Sequence, residues 1–442
     1  MKRRSFIETA VGTAALSSGI SGCTRSENGR DRTMPEGEMS VSENGLLAGR
    51  SIEEVKRQYE NDLFEDYLPF HNTYVVEPKY GSFLATTDHD GSHADTNTNA
   101  SYMGRGIWCY SFLYNNLAKE DKYRDIAWKA VQFIIKHQPS GDDFWPGSYT
   151  MGGEVISSQG GYAGDCYIAE GLAEFSKATG DPKYMDLAKE TIFKCLKHYD
   201  SPDFKDSSIP YPGARSLWYW MLLMWFGTNT LKYEPDSDLE SLVARCIDAI
   251  MNHHQNPDFD LMNNYINHDL SRSEDPKYSE LGACGHATEA TWMIMYEAVR
   301  TNNKALFDDA AAKFKRHAIV SRDDIYGGYF NDLTNVDKNI WQLSKISWAQ
   351  AFILINSLYI VENTGAAWAN DVFTDQFDWV RENLPLKKHG FSLWLEARDR
   401  KATFTPHATR KDNYHHPRHL MLNLMSLERM VEKKGKVSGV FG

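Results

Sequence analysis

From residue 101 onward the chain repeats one pattern, in which apolar residues recur at positions i, i+3, i+4 and i+7 between short polar connections. This spacing is the period of an amphipathic α-helix, whereas a strand would alternate every second residue. The same pattern over 52–66 predicts one more helix before these. The later helices are predicted at 101–118, 121–137, 163–179, 182–198, 214–230, 237–254, 284–301, 303–319, 340–364, 368–382 and 415–433.

The predicted helices come in pairs that differ in polarity. The first member is apolar and rich in small residues, as in 163–179, and the second carries a charge every few residues, as in 182–198. A repeated helical hairpin of this kind predicts an all-α closed toroid of about twelve helices, with the apolar members inside. The longer connections should then open on one face, where a functional site is expected. Segments 81–86 and 326–330 in these connections are predicted to form β-hairpins at the rim.

The composition limits the partners. The chain has 48 Lys and Arg against 60 Asp and Glu, so its formal net charge is -12. Such a protein has no bulk attraction for nucleic acid, and an anionic sugar would need a local basic pocket. The 12 Trp, 23 Tyr and 21 Phe suit either a large helical core or flat platforms for sugar rings.

The first 23 residues have the features of an export signal. Lys2-Arg3-Arg4 precedes an apolar run over 10–20 that is too short to span a membrane. The paired arginines resemble a twin-arginine signal, and Ile20-Ser21-Gly22-Cys23 resembles a lipobox, so Cys23 is the predicted lipidation site. An ordinary basic leader is the alternative. Residues 24–50 are predicted as a flexible tether and 51–442 as the globular domain, which places the protein in the periplasm or at the outer membrane, touching the membrane only through its lipid.

The sequence implies no metal and no cofactor. The remaining cysteines are widely spaced in apolar segments without a CxxC pair, and they are predicted as buried thiols: Cys109, Cys166, Cys195, Cys246 and Cys284. The acidic run over 88–95 lacks the spacing of a calcium loop. Neither an HExxH motif, a glycine-rich phosphate loop nor a nucleophile elbow occurs.

Four motifs in order resemble those of the N-acylglucosamine 2-epimerase family, over most of residues 75–433. They are Met103-Gly104-Arg105-Gly106-Ile107-Trp108, Gly171-Leu172-Ala173-Glu174 with Thr179-Gly180-Asp181, Gly285-His286-Ala287-Thr288-Glu289-Ala290-Thr291-Trp292 and Tyr414-His415-His416-Pro417-Arg418. The resemblance implies an (α/α)6 barrel and an activity like that of cellobiose epimerases and aldose–ketose isomerases. It also implies that His286 and His415 exchange the proton on the carbon next to a sugar carbonyl.

Three positions depart from the family pattern. Thr98 and Ser101 stand where epimerases tend to have Lys and Trp, and Phe352 stands where they tend to have Glu, seven residues after Lys345. Epimerases of the family act in the cytoplasm, whereas an exported lipoprotein meets polysaccharides. The leading hypothesis is therefore β-elimination on a uronic acid by a lyase or dehydratase. In addition, the leader and the toroid resemble those of ulvan-degrading enzymes of marine Bacteroidetes. The predicted partner is an anionic oligosaccharide.

Elimination, epimerisation and isomerisation all remove a weakly acidic C–H proton, so they need a base active near neutral pH and groups that stabilise an enolate. His286 and His415 are the candidate acid and base, because histidine titrates near neutrality, and Tyr102 or Tyr211 is a candidate replacement. Other candidates lie near the predicted mouth, and each has a packing role as its alternative. These candidate substrate-binding residues are Arg105, Arg215, Glu289, Tyr162, Tyr414, Trp108 and Arg418.

Other functions stay open at this point. The runner-up is a sugar 2-epimerase or an aldose–ketose isomerase, which uses the same histidine pair. A glycoside hydrolase would need two carboxylates facing the scissile bond, for which Asp165 and Glu289 are the candidates. A glycan-binding lipoprotein would keep the aromatic residues and have no use for the histidines.

Overall fold

The computed structural model describes residues 39–42 and 44–441, so the predicted signal, Cys23 and tether residues 24–38 lie outside the described residues. Twelve long helices make up most of this part of the chain. The first, α1, covers 52–75 and contains π-helical turns at Asn61–Tyr67 and His71–Val75. The others are α2 Ala100–Asn116, α3 Asp121–Ile135, α4 Tyr162–Thr179, α5 Pro182–Tyr199, α6 Leu217–Leu231, α7 Ser237–Asp248, α8 Cys284–Arg300, α9 Lys304–Ser321, α10 Ser347–Thr364, α11 Ala367–Asn383 and α12 His415–Glu432.

The even-numbered helices form a closed inner ring. Each packs against the next, from α2 through α12, and α12 packs back on α2. These six helices are buried along nearly their whole length, as the sequence of α6 requires, since it carries no charged residue. The odd-numbered helices cover the ring from outside, and α1 covers α12. The prediction of an all-α (α/α)6 toroid is confirmed.

Tight turns and close contacts hold the hairpins. Helix α4 ends at Gly180, whose φ of 71° lies in the left-handed region, and the Asp181 side chain caps the start of α5. Between α2 and α4 the backbones nearly touch, because a Cβ at Gly104 would lie 2.3 Å from the carbonyl carbon of Tyr167. Glycine at this position therefore sets the spacing of the first two inner helices.

Short antiparallel strands line the rim where the inner helices begin. The pairs and triplet are β1 Thr98–Asn99 with β2 Ser148–Tyr149 and β3 Val155–Ser157, β4 Arg215–Ser216 with β7 Tyr265–Ile266, β5 Gln255–Asn256 with β6 Leu261–Met262, and β8 Asp332–Asn335 with β9 Ile340–Gln342.

The rim differs from the prediction in three segments. Residues 81–86 and 326–330 form only single bridges, Val76 to Phe83 and Arg322 to Tyr329, in place of hairpins. In the second segment, Gly327 and Gly328 both have a φ of 68°, which turns the chain too sharply for a ladder. Residues 340–342, predicted as helix, pair instead with β8, so α10 begins only at Ser347.

Residues 39–42 and 44–50 belong to the barrel and not to a flexible tether. Val41 and Leu47 are each only 1% exposed. The Val41 N–H donates to the Gly435 carbonyl at 2.9 Å, and the Val437 N–H donates to the Met39 carbonyl at 2.9 Å. The tether prediction is therefore wrong for these residues, because apolar side chains in 41–48 are buried against the end of the chain.

The five cysteines of the described chain are buried free thiols, as predicted. They lie on inner and outer helices, where apolar surroundings favour the neutral thiol. None of the described helices is long and apolar enough to cross a membrane.

Replacing Gly104 with Ala should lower the stability of the barrel, because the added methyl group collides with the backbone of α4 rather than with a flexible side chain. Overpacking of this kind costs roughly 1–3 kcal/mol of unfolding free energy. Gly152→Ala is the matched control, since a Cβ there meets nothing closer than 3.9 Å. Urea unfolding of both variants provides the measurement, and equal stability of the two would contradict a backbone contact at Gly104.

Candidate active site

The first turns of the inner helices bring two histidines and a tryptophan together at the rim. His286 lies in the first turn of α8, Trp348 in that of α10, and His415 begins α12. The Trp348 ring lies 5.5 Å from the His286 ring, nearly parallel at 16°, and 6.1 Å from the His415 ring. Since α10 lies between α8 and α12 in the ring, Trp348 lies between the two imidazole rings.

His286 is half-buried, stacked on a tryptophan and hydrogen-bonded to a neutral side chain. Its imidazole is parallel to the Trp218 ring within 4°, at 6.4 Å. Nδ1 lies 3.2 Å from the Asn264 Oδ1, an oxygen that can only accept. That partner favours the proton on Nδ1, so Nε2 keeps its lone pair.

His415 is buried and paired with a carboxylate. Its Nδ1 lies 3.1 Å from Asp412 Oδ2, and Asp412 Oδ1 accepts the backbone N–H groups of Tyr414 at 2.9 Å and His415 at 3.0 Å. Burial alone would raise the pKa of Asp412, but His415, Arg410 and Arg105 hold this pKa well below its usual range. Asp412 is therefore ionised and accepts a hydrogen bond from the Nδ1–H of His415, which again leaves Nε2 as the free nitrogen.

Burial also governs the pKa of His415. It lowers this pKa below 6.5, although the Asp412 carboxylate works in the opposite direction. The Phe352 ring, 6.0 Å away, is one of the apolar groups that exclude water here. His415 is thus neutral near pH 7 and able to accept a proton.

Beneath the histidines the barrel contains paired charges. Arg418 donates to Glu289 Oε1 at 2.5 Å and to the Tyr414 hydroxyl at 3.1 Å. The same hydroxyl donates to Glu170 Oε2 at 2.7 Å. The guanidinium of Arg418 is only 1% exposed, so its charge is balanced internally by Glu289.

Arg105 has no carboxylate partner within hydrogen-bond distance among the described residues. It donates to the Tyr167 hydroxyl at 2.7 Å, and its guanidinium carbon lies 4.1 Å from the centre of that ring. The Arg105 Nε finds no acceptor in this part of the chain. Asp165, another acidic residue of the inner helices, does not pair with Arg105, because it pairs with Lys194 of the outer helix α5 at 2.8 Å.

Two of the acidic groups at this site were not identified from the sequence. Burial raises the pKa of Glu170 to about 7, and the hydrogen bond from Tyr414 only partly offsets the effect. A single carboxylate within the otherwise apolar stretch 166–173 was a usable signal. Asp412, three residues before His415, had the spacing of a helix-capping group.

Arg215 is placed away from the histidines. Its guanidinium donates to the Gly213 and Ser201 carbonyls at 3.1 and 3.0 Å and covers the Tyr199 ring. Strand β4 directs the side chain toward the end of α5, so Arg215 has a structural role and does not fulfil the prediction of a substrate contact.

The remaining aromatic candidates are divided between core and rim. Tyr162 is fully buried and stacks on Tyr219 at 4.2 Å, and Trp108 is 2% exposed and stacks on Phe112, so both are core residues. Tyr211 bonds Asn267 on a rim connection. Tyr102 is half-buried and its carbonyl accepts from Asn413, which places it beside the segment that leads to His415.

The two carboxylates considered for glycoside hydrolysis are both engaged within the described part of the chain, so they do not form a facing pair. Asp165 is fully buried and bound by Lys194 and the Trp145 N–H, and Glu289 is bound by Arg418. Within residues 39–42 and 44–441, no group of three or more His, Cys, Asp or Glu is arranged to hold a metal ion.

The family model that matches this chain and both curated relatives are those of sugar epimerases. The model of the N-acylglucosamine 2-epimerase (GlcNAc 2-epimerase) family matches residues 81–418. The cellobiose 2-epimerase of Dictyoglomus turgidum is 25% identical over 278 residues, 58% of this chain and 68% of that enzyme. The cellobiose 2-epimerase of Bacteroides fragilis is 26% identical over 138 residues, 30% of this chain and only 34% of the enzyme. The crystal structure of a sugar epimerase from a ruminal bacterium has the same fold, with a TM-score of 0.72, 15% identity and coverage of 84% and 98% of the two chains.

The hypothesis of β-elimination is wrong, because the family and both curated relatives are epimerases. The contacts give the physical reason for the error. The hypothesis needed several free basic groups to hold a uronate, but Arg215 is bound by carbonyls and Arg418 by Glu289.

Replacing Asp412 with Asn should lower the pKa of His415 further, because the variant loses the carboxylate that raises it while the burial that lowers it remains. NMR titration of the histidine side chains measures this shift. His286, which is held by Asn264 and stacked on Trp218, is the internal control, because its contacts do not include Asp412. An unchanged or raised pKa of His415 would show that Asp412 does not act on the imidazole.

Proposed function

Because the chain belongs to the N-acylglucosamine 2-epimerase family, we propose that it is a sugar 2-epimerase, which inverts the carbon next to the aldehyde of an aldose. The observation that carries this proposal is the pair of imidazoles around Trp348. Both Nδ1 atoms are engaged, by Asn264 and by Asp412, so both Nε2 atoms are free to move a proton.

The proposed reaction starts from the open-chain aldose. Nε2 of one histidine takes the proton from C2, and the C2–H electron pair forms a C1–C2 double bond while the carbonyl electrons move to O1. The other histidine enters the reaction as an imidazolium, with a proton taken up from solvent on Nε2. It gives this proton to C2 from the opposite face, the C1 carbonyl forms again, and C2 is inverted, which leaves the first histidine as the imidazolium that returns its proton to solvent. Inversion requires two acid–base groups on opposite sides of one carbon. Each such group typically raises the reaction rate by about 10²–10⁴-fold.

Stabilisation of the enediolate is assigned to Arg105. It is a cation near His415 and Asp412 that has no carboxylate within hydrogen-bond distance among the described residues, and its Nε has no acceptor there. A donor that is fixed before the reaction costs no reorganisation when negative charge develops on O1. The Tyr167 hydroxyl fixes the guanidinium from below.

A neutral sugar suits this site better than the anionic oligosaccharide expected from the sequence. Asp412 and Glu289 lie around the histidines, and Arg105 is left as the uncompensated cation among the arginines considered. Trp218 and Trp348 are half-buried and offer ring faces for stacking on a pyranose. By analogy with the two relatives, the proposed substrate is the reducing-end residue of a neutral disaccharide such as cellobiose.

The departures from the family pattern fit a change of substrate contacts more readily than a change of reaction. Phe352 lies against His415 and 5.5 Å from the Arg418 guanidinium, so it contributes an apolar wall where epimerases tend to have a carboxylate. The charge of Arg418 is balanced by Glu289 instead. Export and lipid attachment at Cys23 remain predictions from the sequence, and we propose on that basis that the enzyme acts outside the cytoplasm.

The test is proton NMR of the purified protein with cellobiose in heavy water. Epimerisation should give the mannose-ended disaccharide with one deuterium at C2, since the returning proton comes from an imidazolium that exchanges with solvent. His286→Ala and His415→Ala should each lower kcat by about 10²–10⁴-fold. His253→Ala is the matched control, because His253 is an exposed residue after α7 and should retain full activity.

The outcomes separate the alternatives. A ketose product with deuterium at C1 would make the protein an aldose–ketose isomerase, which shares the enediolate but returns the proton to the neighbouring carbon. Absence of deuterium uptake at C2 with cellobiose, mannobiose, glucose, mannose and N-acetylglucosamine would overturn the proposal of 2-epimerisation.

A further inference from the structure

The end of the barrel opposite the histidines contains two adjoining hollows. They have volumes of about 410 and 380 Å³ and lie among the C-terminal ends of the inner helices. Both are lined by Lys232, Tyr296 and Met425, so they share a wall. Hollows of this size fall in the range of protein sites for small organic ligands, about 300–1,000 Å³.

The lining of these hollows is basic, in a chain whose formal net charge is -12. Seven lysines and arginines line them against two glutamates. Both glutamates are already occupied, Glu174 by Lys177 at 3.2 Å and Glu362 by Arg429 at 2.5 Å. Arg300 pairs with Glu240 and Glu297 at 2.7 Å just outside the lining. The remaining lysines, Lys232 among them, have no carboxylate partner on the walls.

Helix ends account for part of this charge. The C-terminal carbonyls of a helix attract cations, and Lys177 donates to the Asn229 carbonyl at 3.0 Å near the end of α6. Lys232 makes no such contact. Its Nζ lies 4.6 Å from the centre of the Tyr296 ring and 5.8 Å from that of Trp225, and no described residue offers it an acceptor or a carboxylate within bonding distance.

We propose that these hollows bind a small anion of sugar size, whose phosphate or carboxylate group pairs with Lys232 and whose ring packs on the aromatic wall. Burial lowers the pKa of the Lys232 amine to about 7. A bound anion stabilises the protonated amine, which then supplies the charge-assisted contact. Tyr296 is 8% exposed and Trp225 is 1% exposed, so the wall is rigid, while the exposed Tyr233 stands at the opening. This site is separate from the histidines and does not depend on the proposed epimerisation.

The test is isothermal titration of the full chain with glucose 6-phosphate, glucuronate, inorganic phosphate and neutral glucose. The anionic sugars should bind more tightly than glucose, which lacks a group that can pair with Lys232. Lys232→Met should weaken their binding at least tenfold, which corresponds to the loss of one charge-assisted hydrogen bond of about 1.5–3 kcal/mol. Stronger binding of glucose 6-phosphate than of glucuronate would identify a phosphate as the anionic group, and the reverse would identify a carboxylate.

Two control variants locate the binding. Lys315 lies 4.9 Å from the Trp368 ring on the outside of the barrel. Lys315→Met therefore removes the same charge and the same kind of ring contact as Lys232→Met, and this variant should bind the anionic sugars normally. His286→Ala should also bind normally, because it alters only the other mouth. The proposal is overturned if none of the anionic probes binds at 10 mM (on the order of −3 kcal/mol), if glucose binds as well as they do, or if Lys315→Met or His286→Ala weakens binding as much as Lys232→Met does.

Discussion

In each helical hairpin the first helix lies inside the ring and the second returns antiparallel on the outside. This arrangement determines where the functional groups lie. Because all six inner helices run in the same direction, their N-terminal ends meet at one mouth and their C-terminal ends at the other. Each helix carries a partial positive charge at its start and a partial negative charge at its end. The ionised Asp412 fits the first mouth, and the lysines around Lys232 fit the second.

The fold could be predicted from the sequence because the two kinds of helix differ so strongly in polarity. An inner helix such as α6 has no charged residue, whereas an outer helix such as α5 has a charge every few positions. Both the helical period and the inner or outer position of each helix could therefore be predicted. Errors arose where a short apolar run fits either element, as at 340–342. The partner strand that decides the matter, 332–335, is part of a different local pattern.

The candidate site could be predicted only in part. His286 and His415 were found because a family motif contains them, but their partners Asn264 and Asp412 are fixed by loop geometry. The arginines were misjudged for a related reason. A guanidinium at the start of an inner helix can face a substrate or a buried carboxylate, and only three-dimensional contacts, such as that of Arg418 with Glu289, distinguish the two.

The way the ring closes has a consequence for the order of folding. Helix α12, which begins with His415, docks between α10, α2 and the early helix α1, and it is the last of the twelve to leave the ribosome. Until then α1 and α2 have no partner on that side, and the second histidine is absent from the mouth. The step that seals the apolar interior during biosynthesis is thus also the step that assembles the site, so a nascent chain that has not closed its ring lacks both catalytic competence and a protected core.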